Sequence, residues 1–391
     1  MADDSHAHSD TPHRVRGIFR EEFALWVGIA STLVLLTVGS PWLKHLDSPI
    51  LFTLLFAWVF GIMLWLAFGV VRHADCLAIK LGEPYGTLIL TLSVISIEVV
   101  MITAVMLTGG ENPELARDTM FSVLMIVLNG MLGVTLLVGG WKHREQVYNL
   151  QGANTYLAVI IPLAGLGLVL PRLTDSEPGG VPSVLMEIFL AVVSIVLYAI
   201  FLTMQSGRHR NYFQQPALPK TVDGQKSHDA PGGHDDHGNL VIRSTAYHVI
   251  FLFLTMLPIV LLSKKMALLV DHGISALHAP QALGGFLVAI LVLSPEGMGA
   301  IKSALANRLQ RTVNIALGSA LATIGLTIPA VLIVSLTTHK TVELGLEMPE
   351  ILLLALSIGV AVVNFAGTRT NLLQGAIHLV LFFAYLLLIF D

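Results

Sequence analysis

Residues 84–108 read PYGTLILTLSVISIEVVMITAVMLT, and residues 280–301 read PQALGGFLVAILVLSPEGMGAI. Each stretch is long enough to cross a bilayer, whose hydrocarbon core needs about 20 apolar residues per helix. Each also contains one acid, Glu98 in the first and Glu296 in the second. A carboxylate in hydrocarbon costs at least about 2.5 kcal/mol, so two acids at matching places predict an ion or proton site.

The composition of the whole chain is that of a polytopic membrane protein. Of its 391 residues, 54% are hydrophobic and only 12% are charged, whereas soluble chains carry about 25% charged residues. We therefore expect an all-α fold with about eleven transmembrane helices. The predicted spans are residues 23–39, 50–71, 84–108, 118–140, 154–171, 183–204, 244–262, 280–301, 312–336, 349–366 and 371–390.

The basic residues predict how the chain is oriented. If the amino terminus is cytoplasmic, most lysines and arginines fall in cytoplasmic segments, as the positive-inside rule requires. Residues 1–22 have no cleavage signature and are expected to form a cytoplasmic tail. We thus expect a multi-pass protein of the cell (inner) membrane with an extracytoplasmic carboxyl terminus.

A polar linker, residues 205–243, divides the predicted helices into six before it and five after it. If the helix in residues 23–49 is an additional element, residues 50–204 and 244–391 form two five-helix repeats. Consecutive repeats with an odd number of helices enter the membrane from opposite sides. Secondary transporters built from such inverted repeats place their sites at the repeat interface, and here each buried acid lies on the second helix of its repeat.

Neutral oxygen ligands are predicted from residue spacing on the helices that follow the acids. Ser319, Thr323 and Thr327 recur every four residues and form one hydroxyl stripe. Ser122 and Asn129, seven residues apart, share a face in the first repeat. These residues could support a cation site, or they could serve helix packing, in which small and hydroxyl residues are common.

The sequence Ser294-Pro295-Glu296-Gly297 predicts a break in its helix. Proline at 295 removes a backbone donor and crowds the carbonyl near Leu291. Mid-membrane breaks are tolerated where the freed carbonyls face protein, water or an ion. A hard cation binds such carbonyls beside carboxylates.

Five other polar residues lie inside or beside the predicted spans. Glu187 begins a helix and is expected at the outer interface, and His248 is expected at the cytoplasmic interface. His378, Asn364 and Asn371 belong to the last two helices and are interpreted as packing or interface residues.

The linker contains a His/Asp-rich run, residues 227–239. One interpretation is a solvated, disordered connection. The other is a cytoplasmic sensor of metal or pH, because histidine titrates near physiological pH. The residues that would act in such a sensor are His228, His234, Asp235, Asp236 and His237.

Common enzyme motifs are absent from the sequence. It contains no G-x-x-x-x-G-K-[ST], no H-E-x-x-H and no G-x-S-x-G, so we expect neither an ATP-driven pump with its own P-loop nor an enzyme. The single cysteine, Cys76, excludes an internal disulfide and a cysteine-held metal cluster. No cofactor is expected. The expected partners are inorganic cations, protons and the lipid bilayer, and no nucleic acid.

Four segments carry a family resemblance: GEPYG at 82–86, SVISIE at 93–98, LSPEGMGA at 293–300 and ALGSA at 316–320. They resemble the bacterial ChaA-type cation/proton antiporters of the calcium/cation antiporter superfamily, in the cation exchanger group. The resemblance implies eleven helices in two inverted repeats, with Glu98 and Glu296 as the glutamates that bind Ca²⁺ or protons. The Gly-Asn that accompanies these glutamates in the superfamily is absent here.

The function expected from these observations is secondary active antiport. Ca²⁺ would leave the cytoplasm in exchange for H⁺ by alternating access, with Glu98 and Glu296 as a shared cation and proton site. The alternative on the same fold is a monovalent Na⁺(K⁺)/H⁺ antiporter. Buried acids would also serve a cation channel or a membrane sensor.

Overall fold

The computed structural model describes residues 17, 20–82, 85–108, 113–174, 178–216 and 242–391. Most of the predicted amino-terminal tail lies outside the described residues. The His/Asp-rich run lies outside them too, so the sensor residues His228, His234, Asp235, Asp236 and His237 stay a prediction.

The described part of the chain is almost entirely helical. Its long helices are α1 (Phe23–Leu36), α2 (Pro49–Leu81), α3 (Tyr85–Thr108), α4 (Leu115–His143), α5 (Leu150–Leu173), α6 (Val184–Ser206), α7 (Thr245–Leu277), α8 (Ala282–Leu305), α9 (Leu309–Thr338), α10 (Met348–Asn364) and α11 (Leu372–Phe390). Short 3₁₀ turns occur at Trp42–Lys44, Pro178–Gly180 and Arg210–Phe213. Strands β1 (Glu145–Val147) and β2 (Arg369–Asn371) form one antiparallel pair.

Eight of the described helices are long and apolar enough to cross a membrane, namely α2, α4 to α9, and α11. Shorter apolar stretches lie in α1, in α10 and at Thr91–Thr103 of α3. The all-helical, polytopic architecture is therefore confirmed. The count of about eleven spans stays a prediction.

Three helices contain a π-helical turn inside their span. The turns are Ile126–Met131 in α4, Gly165–Val169 in α5 and Thr323–Thr327 in α9. Such turns insert one extra residue and occur frequently at functional sites. The helix break predicted at Pro295 is wrong, because α8 runs without interruption from Ala282 to Leu305. Proline removes one hydrogen bond, and the packed turns on either side keep the helix continuous.

The first three helices of the two predicted repeats match in length and irregularity. Helices α2 and α7 have 33 residues each, and α3 and α8 have 24 each. Helices α4 and α9 each contain a π turn. Gly69 packs beside Thr255 and Phe52 beside Gly273, so α2 and α7 run antiparallel. Two inverted repeats would produce these features, although the boundaries at 50–204 and 244–391 stay a prediction.

The buried apolar side chains form two large clusters that meet at the helices bearing the acids. The α2–α7 cluster contains α1, α2, α7 and one side of α3 and α8, including Val94 and Val292. The α4–α9 cluster contains α4 to α6, α9 to α11 and the other side of α3 and α8, including Ile95 and Leu293. Glu98 and Glu296 are thus carried by the two helices that both clusters share.

Helix α11 packs closely against α4 through glycines. A Cβ atom added at Gly133 would lie 2.9 Å from the Leu379 side chain, and one at Gly140 would lie 2.6 Å from the Leu372 nitrogen. A Cβ atom at Gly375 would lie 2.4 Å from the Leu137 nitrogen. The strand pair β1–β2 joins the ends of the same two helices, so the last helix of the second half completes the first half.

Candidate functional site

Glu98 lies opposite the π turn of α9 and is only 2% exposed. Thr323 Oγ1 donates to its Oε2 at 2.9 Å, and Thr327 Oγ1 donates to its Oε1 at 3.1 Å. Both threonines are fully buried. Each carboxylate oxygen therefore accepts one hydroxyl hydrogen bond inside the protein, which is the arrangement that holds an ionised acid.

These two hydroxyls differ from most buried hydroxyls of the described spans in where they point. Ser122, Thr255 and Ser303 each donate to a backbone carbonyl four residues earlier in their own helix. Thr323 and Thr327 instead donate across the helix interface to Glu98. Hydroxyls directed at a carboxylate form a polar pocket, whereas hydroxyls bonded to a carbonyl of their own helix contribute only to packing.

Glu296 enters the same region from α8. It interacts with the Ser319 hydroxyl, and the charge of Glu98 acts on it through space. Its Oε2 is buried and has no hydrogen-bond partner among the described residues. A buried carboxylate oxygen without a donor costs free energy, so a proton or a cation bound at this position would stabilise the site.

A third acid, Asp75 on α2, also acts on Glu296 through its charge. The second predicted span ended at residue 71, so Asp75 was not among the predicted site residues. Helix α2 continues to Leu81, which brings this acid within electrostatic range. The uninterrupted helical pattern after residue 71 was the signal that could have identified it.

Two predicted supporting residues have partners other than the acids. The Asn129 side chain is fully buried, donates to Ser357 Oγ at 2.7 Å and lies 3.3 Å from His378 Nδ1. Ser294 Oγ donates to the Ile290 carbonyl. The structure therefore brings together Glu98, Glu296, Ser319, Thr323 and Thr327, but not Asn129 or the Ser294 hydroxyl.

The two halves of the site differ in polarity. Ser122 and Ser319 each lie three residues before the end of the α-helical segment that precedes a π turn, and Ile126 begins one π turn as Thr323 begins the other. On this correspondence Gly130 takes the place of Thr327. Ile126 and Gly130 line a cavity of about 390 Å³, together with Ser294, Gly297 and neighbouring apolar side chains. The first half thus has no threonine at the two positions that correspond to Thr323 and Thr327.

The remaining polar residues of the spans are structural or lie elsewhere. Glu187 is buried and accepts a bond from Ser335 Oγ at 2.9 Å, so it is not an open interfacial acid. His378 and Asn364 are buried, whereas the Asn371 side chain caps α11. Helix packing encloses Glu187, His378 and Asn364, because each of these side chains lies on a helix face turned toward a neighbouring helix.

A charged cluster closes one end of the molecule. Buried Arg117 donates to Asp118 at 2.9 Å, to Glu343 at 3.0 Å and to Glu114 at 3.1 Å. Burial raises the pKa of the Glu343 carboxyl, and Arg117 opposes that rise. The arginine thereby ties the start of α4 to the segment between α9 and α10.

The sequence matches a known family over most of its length. The family described as "Sodium/calcium exchanger protein" matches residues 51–207 and 247–390. These two ranges contain α3 with Glu98 and α8 with Glu296. They leave out α1 and most of the polar linker.

Individual relatives and solved structures agree with this match. The chain is 40% identical over 324 residues to the "Sodium-potassium/proton antiporter ChaA" of Escherichia coli (strain K12), covering 83% of this chain and 85% of that protein. The structure of native YfkE superposes with a TM-score of 0.71 at 19% identity, over 94% of this chain and 99% of that one. The "H+/Ca2+ Exchanger CAX" superposes with a TM-score of 0.67 at 16% identity, over 94% and 88%.

Proposed function

This chain belongs to the sodium/calcium exchanger family, and from this premise we propose that it is a secondary active cation/proton antiporter. The names of its relatives describe exchange of Na⁺ and K⁺, or of Ca²⁺, against H⁺. The observation that carries the proposal is one pair of acids, of which Glu98 is buried and Glu296 is half-buried with an enclosed carboxylate oxygen. Glu98 is held by two hydroxyls, and Glu296 keeps an unpartnered oxygen.

The oxygens around this pair suit a hard cation. Two carboxylates and the hydroxyls of Ser319, Thr323 and Thr327 are the oxygen ligands that Ca²⁺ prefers, in sets of six to eight. Two negative charges match one divalent ion. We propose Ca²⁺ as the exported ion, with Na⁺ or K⁺ as the second candidate because the Escherichia coli relative carries a sodium-potassium name.

Exchange follows from the charge of the site. Two neighbouring carboxylates in a low-dielectric interior are costly unless a counter-ion or a proton compensates each of them. A cation that enters displaces the protons, and protons that enter displace the cation. An empty, doubly charged site is too costly to pass from one side to the other, so each crossing carries one kind of ion.

Alternating access is proposed as a relative movement of the two apolar clusters. Because α3 and α8 lie between the α2–α7 cluster and the α4–α9 cluster, rocking one cluster against the other changes the side from which the acids are reached. The proposed topology has eleven spans, a cytoplasmic amino terminus and an extracytoplasmic carboxyl terminus.

The test is transport by purified protein in liposomes with an imposed pH gradient, measured for ⁴⁵Ca²⁺, Na⁺ and K⁺. Glu98→Gln and Glu296→Gln should each abolish uphill uptake, and the double variant should be no worse than either. Glu187→Gln is the matched control, because Glu187 is also buried and also accepts a hydroxyl bond. Near-normal exchange by either site variant would remove the central claim, and a channel would dissipate the gradient without uphill uptake.

A further inference from the structure

A second buried polar group lies where the amino-terminal segment meets α2 and α7. Glu22, immediately before α1, is only 2% exposed. Its carboxylate accepts bonds from Arg72 and from Tyr247 Oη, the latter at 2.6 Å. His73 Nε2 lies 3.1 Å from the same carboxylate. Glu22 therefore links the amino-terminal segment to both long helices of the α2–α7 cluster.

The hydrogen bonds continue from His73 through His248 to Arg243, two residues before α7. His73 Nδ1 lies 3.1 Å from His248 Nδ1, and the Arg243 backbone N–H donates to His248 Nε2 at 3.0 Å. His73 and His248 are buried. The described chain thus contains one continuous line of hydrogen bonds from Arg243 through two imidazoles to Glu22.

The backbone donor fixes the tautomer of each imidazole in this line. Because the Arg243 N–H can only donate, His248 Nε2 must accept, and the proton of a neutral His248 is on Nδ1. His248 Nδ1–H then donates to His73 Nδ1. The proton of a neutral His73 is therefore on Nε2, from which it donates to Glu22. Arg72 Nη2 lies 3.2 Å from His73 Nε2 and donates to the same Glu22 oxygen, so each bond of the line has one donor and one acceptor when both histidines are neutral.

Glu22 stays ionised in this group. Burial acts to raise its pKa, but the hydrogen bonds from His73 and Tyr247 and the charges of His73 and Arg72 lower that pKa to about 2. The other ionisable groups facing the pair come from three elements. They are Glu21 of the amino-terminal segment, Asp75, Cys76 and Lys80 of α2, and Arg243 before α7.

An added proton breaks this line at a defined bond. If His73 gains a proton on Nδ1, it can donate to both sides only when His248 moves its own proton to Nε2. His248 Nε2–H then points at the Arg243 N–H, and two donors face each other. Since the open arrangement binds more protons than the closed one, the closed arrangement loses stability as the pH falls.

We propose that the His73–His248 pair is a proton-binding site outside the candidate cation site. When the pair is neutral it holds Arg243 and the amino-terminal segment on the α2–α7 cluster, and when it is protonated it releases them. Arg243 is the last residue of the polar linker, and its guanidinium also pairs with Glu21 at 2.9 Å. Release would therefore loosen the attachment of the linker and of α1 together. The pair acts on one of the two clusters whose relative movement we propose, and so it can adjust exchange to the pH on its own side of the membrane.

The single cysteine provides a direct probe. Cys76 is buried one turn after His73, and the charges of Arg72 and Glu22 act on it. In purified protein, its rate of reaction with 4,4′-dithiodipyridine is measured between pH 8 and pH 5.5. We expect the rate to rise several-fold across this range as the pH falls, because protonation opens the packing around the thiol. Thiol chemistry alone would lower the rate in acid, because the thiolate is the nucleophile.

The matched control is His73→Gln combined with His248→Gln. A glutamine amide can accept on one side and donate on the other, yet it does not titrate in this range. We expect a slow Cys76 rate without the acid-induced rise. The rise should persist in Glu98→Gln, which separates this proposal from the transport mechanism.

Two results would overturn the proposal. One is a Cys76 rate in the unaltered protein that does not rise in acid. The other is an equal rise in the double glutamine variant. If that variant is already fully reactive at pH 8 because it is misfolded, His73→Gln alone decides, since it removes the imidazole that gains the proton, leaves His248 bonded to Arg243 and must abolish the rise.

Discussion

Replacing Thr323 by valine tests the contact on which the cation site depends most directly. Valine has nearly the shape of threonine and keeps the packing of the fully buried side chain. It removes the hydroxyl that donates to Glu98 Oε2 at 2.9 Å. The change therefore isolates one polar contact in an otherwise unaltered pocket.

The expected magnitude follows from the kind of bond that is lost. A hydrogen bond to a charged group contributes about 1.5–3 kcal/mol, and each 1.4 kcal/mol is about a factor of ten in affinity. We expect Thr323→Val to weaken the apparent affinity for the transported cation by about 10- to 150-fold. Thr327→Val should act in the same direction, and the two effects should not simply add because they share Glu98.

The measurement is initial-rate cation uptake into proteoliposomes as a function of cation concentration at fixed pH. Thr337→Val on the same helix is the control, because Thr337 is exposed and donates to the Ile333 carbonyl of its own helix. Its apparent affinity should equal that of the unaltered protein. If Thr323→Val also leaves the affinity for every transported cation unchanged, the hydroxyl pocket around Glu98 is not the cation site.

Three further predictions concern packing, charge and selectivity. Arg117→Ala should lower the free energy of unfolding by about 3–5 kcal/mol, because it leaves a buried carboxylate without its partner. Arg369→Ala removes an exposed ion pair and should lower it by less than about 1 kcal/mol. Thermal unfolding in detergent measures both variants, and equal losses of stability would contradict the reasoning. Gly285→Ala places a Cβ atom 2.7 Å from the α4 backbone and should lower the melting temperature, while Gly359→Ala, which meets nothing within 4 Å, should not. Ile126→Thr adds a hydroxyl at the position that corresponds to Thr323 and should raise Ca²⁺ uptake relative to Na⁺ uptake; an unchanged ratio would refute the proposed asymmetry.

The acids and their hydroxyl stripe were accessible from the sequence. Isolated carboxylates in apolar stretches stand out because hydrocarbon excludes them, and a four-residue spacing reports a shared helix face. Glu98, Thr323 and Thr327 do meet in the structure. The pairing of Asn129 with Ser357 and His378 was not accessible, because no local pattern states which two distant helices become neighbours.

The histidine pair shows a second reason why some contacts cannot be predicted from the sequence. His248 was interpreted from its position near a helix end, where a polar side chain usually reaches water. Its burial depends on Glu22 and His73, which come from distant parts of the chain. The predicted helix break at Pro295 failed for a related reason: a local rule about proline was outweighed by the packing of the whole helix.

The packing of α11 on α4 has a consequence for how the protein is made. Helix α4 leaves the ribosome long before α11, so its glycine-lined face enters the membrane without the partner that later covers Gly133 and Gly140. During that interval the face must be shielded by lipid or by an insertion factor. A chain cut at the polar linker should yield two fragments that are each unstable when expressed alone. Co-expression of both fragments should restore them, because the second supplies the missing helix.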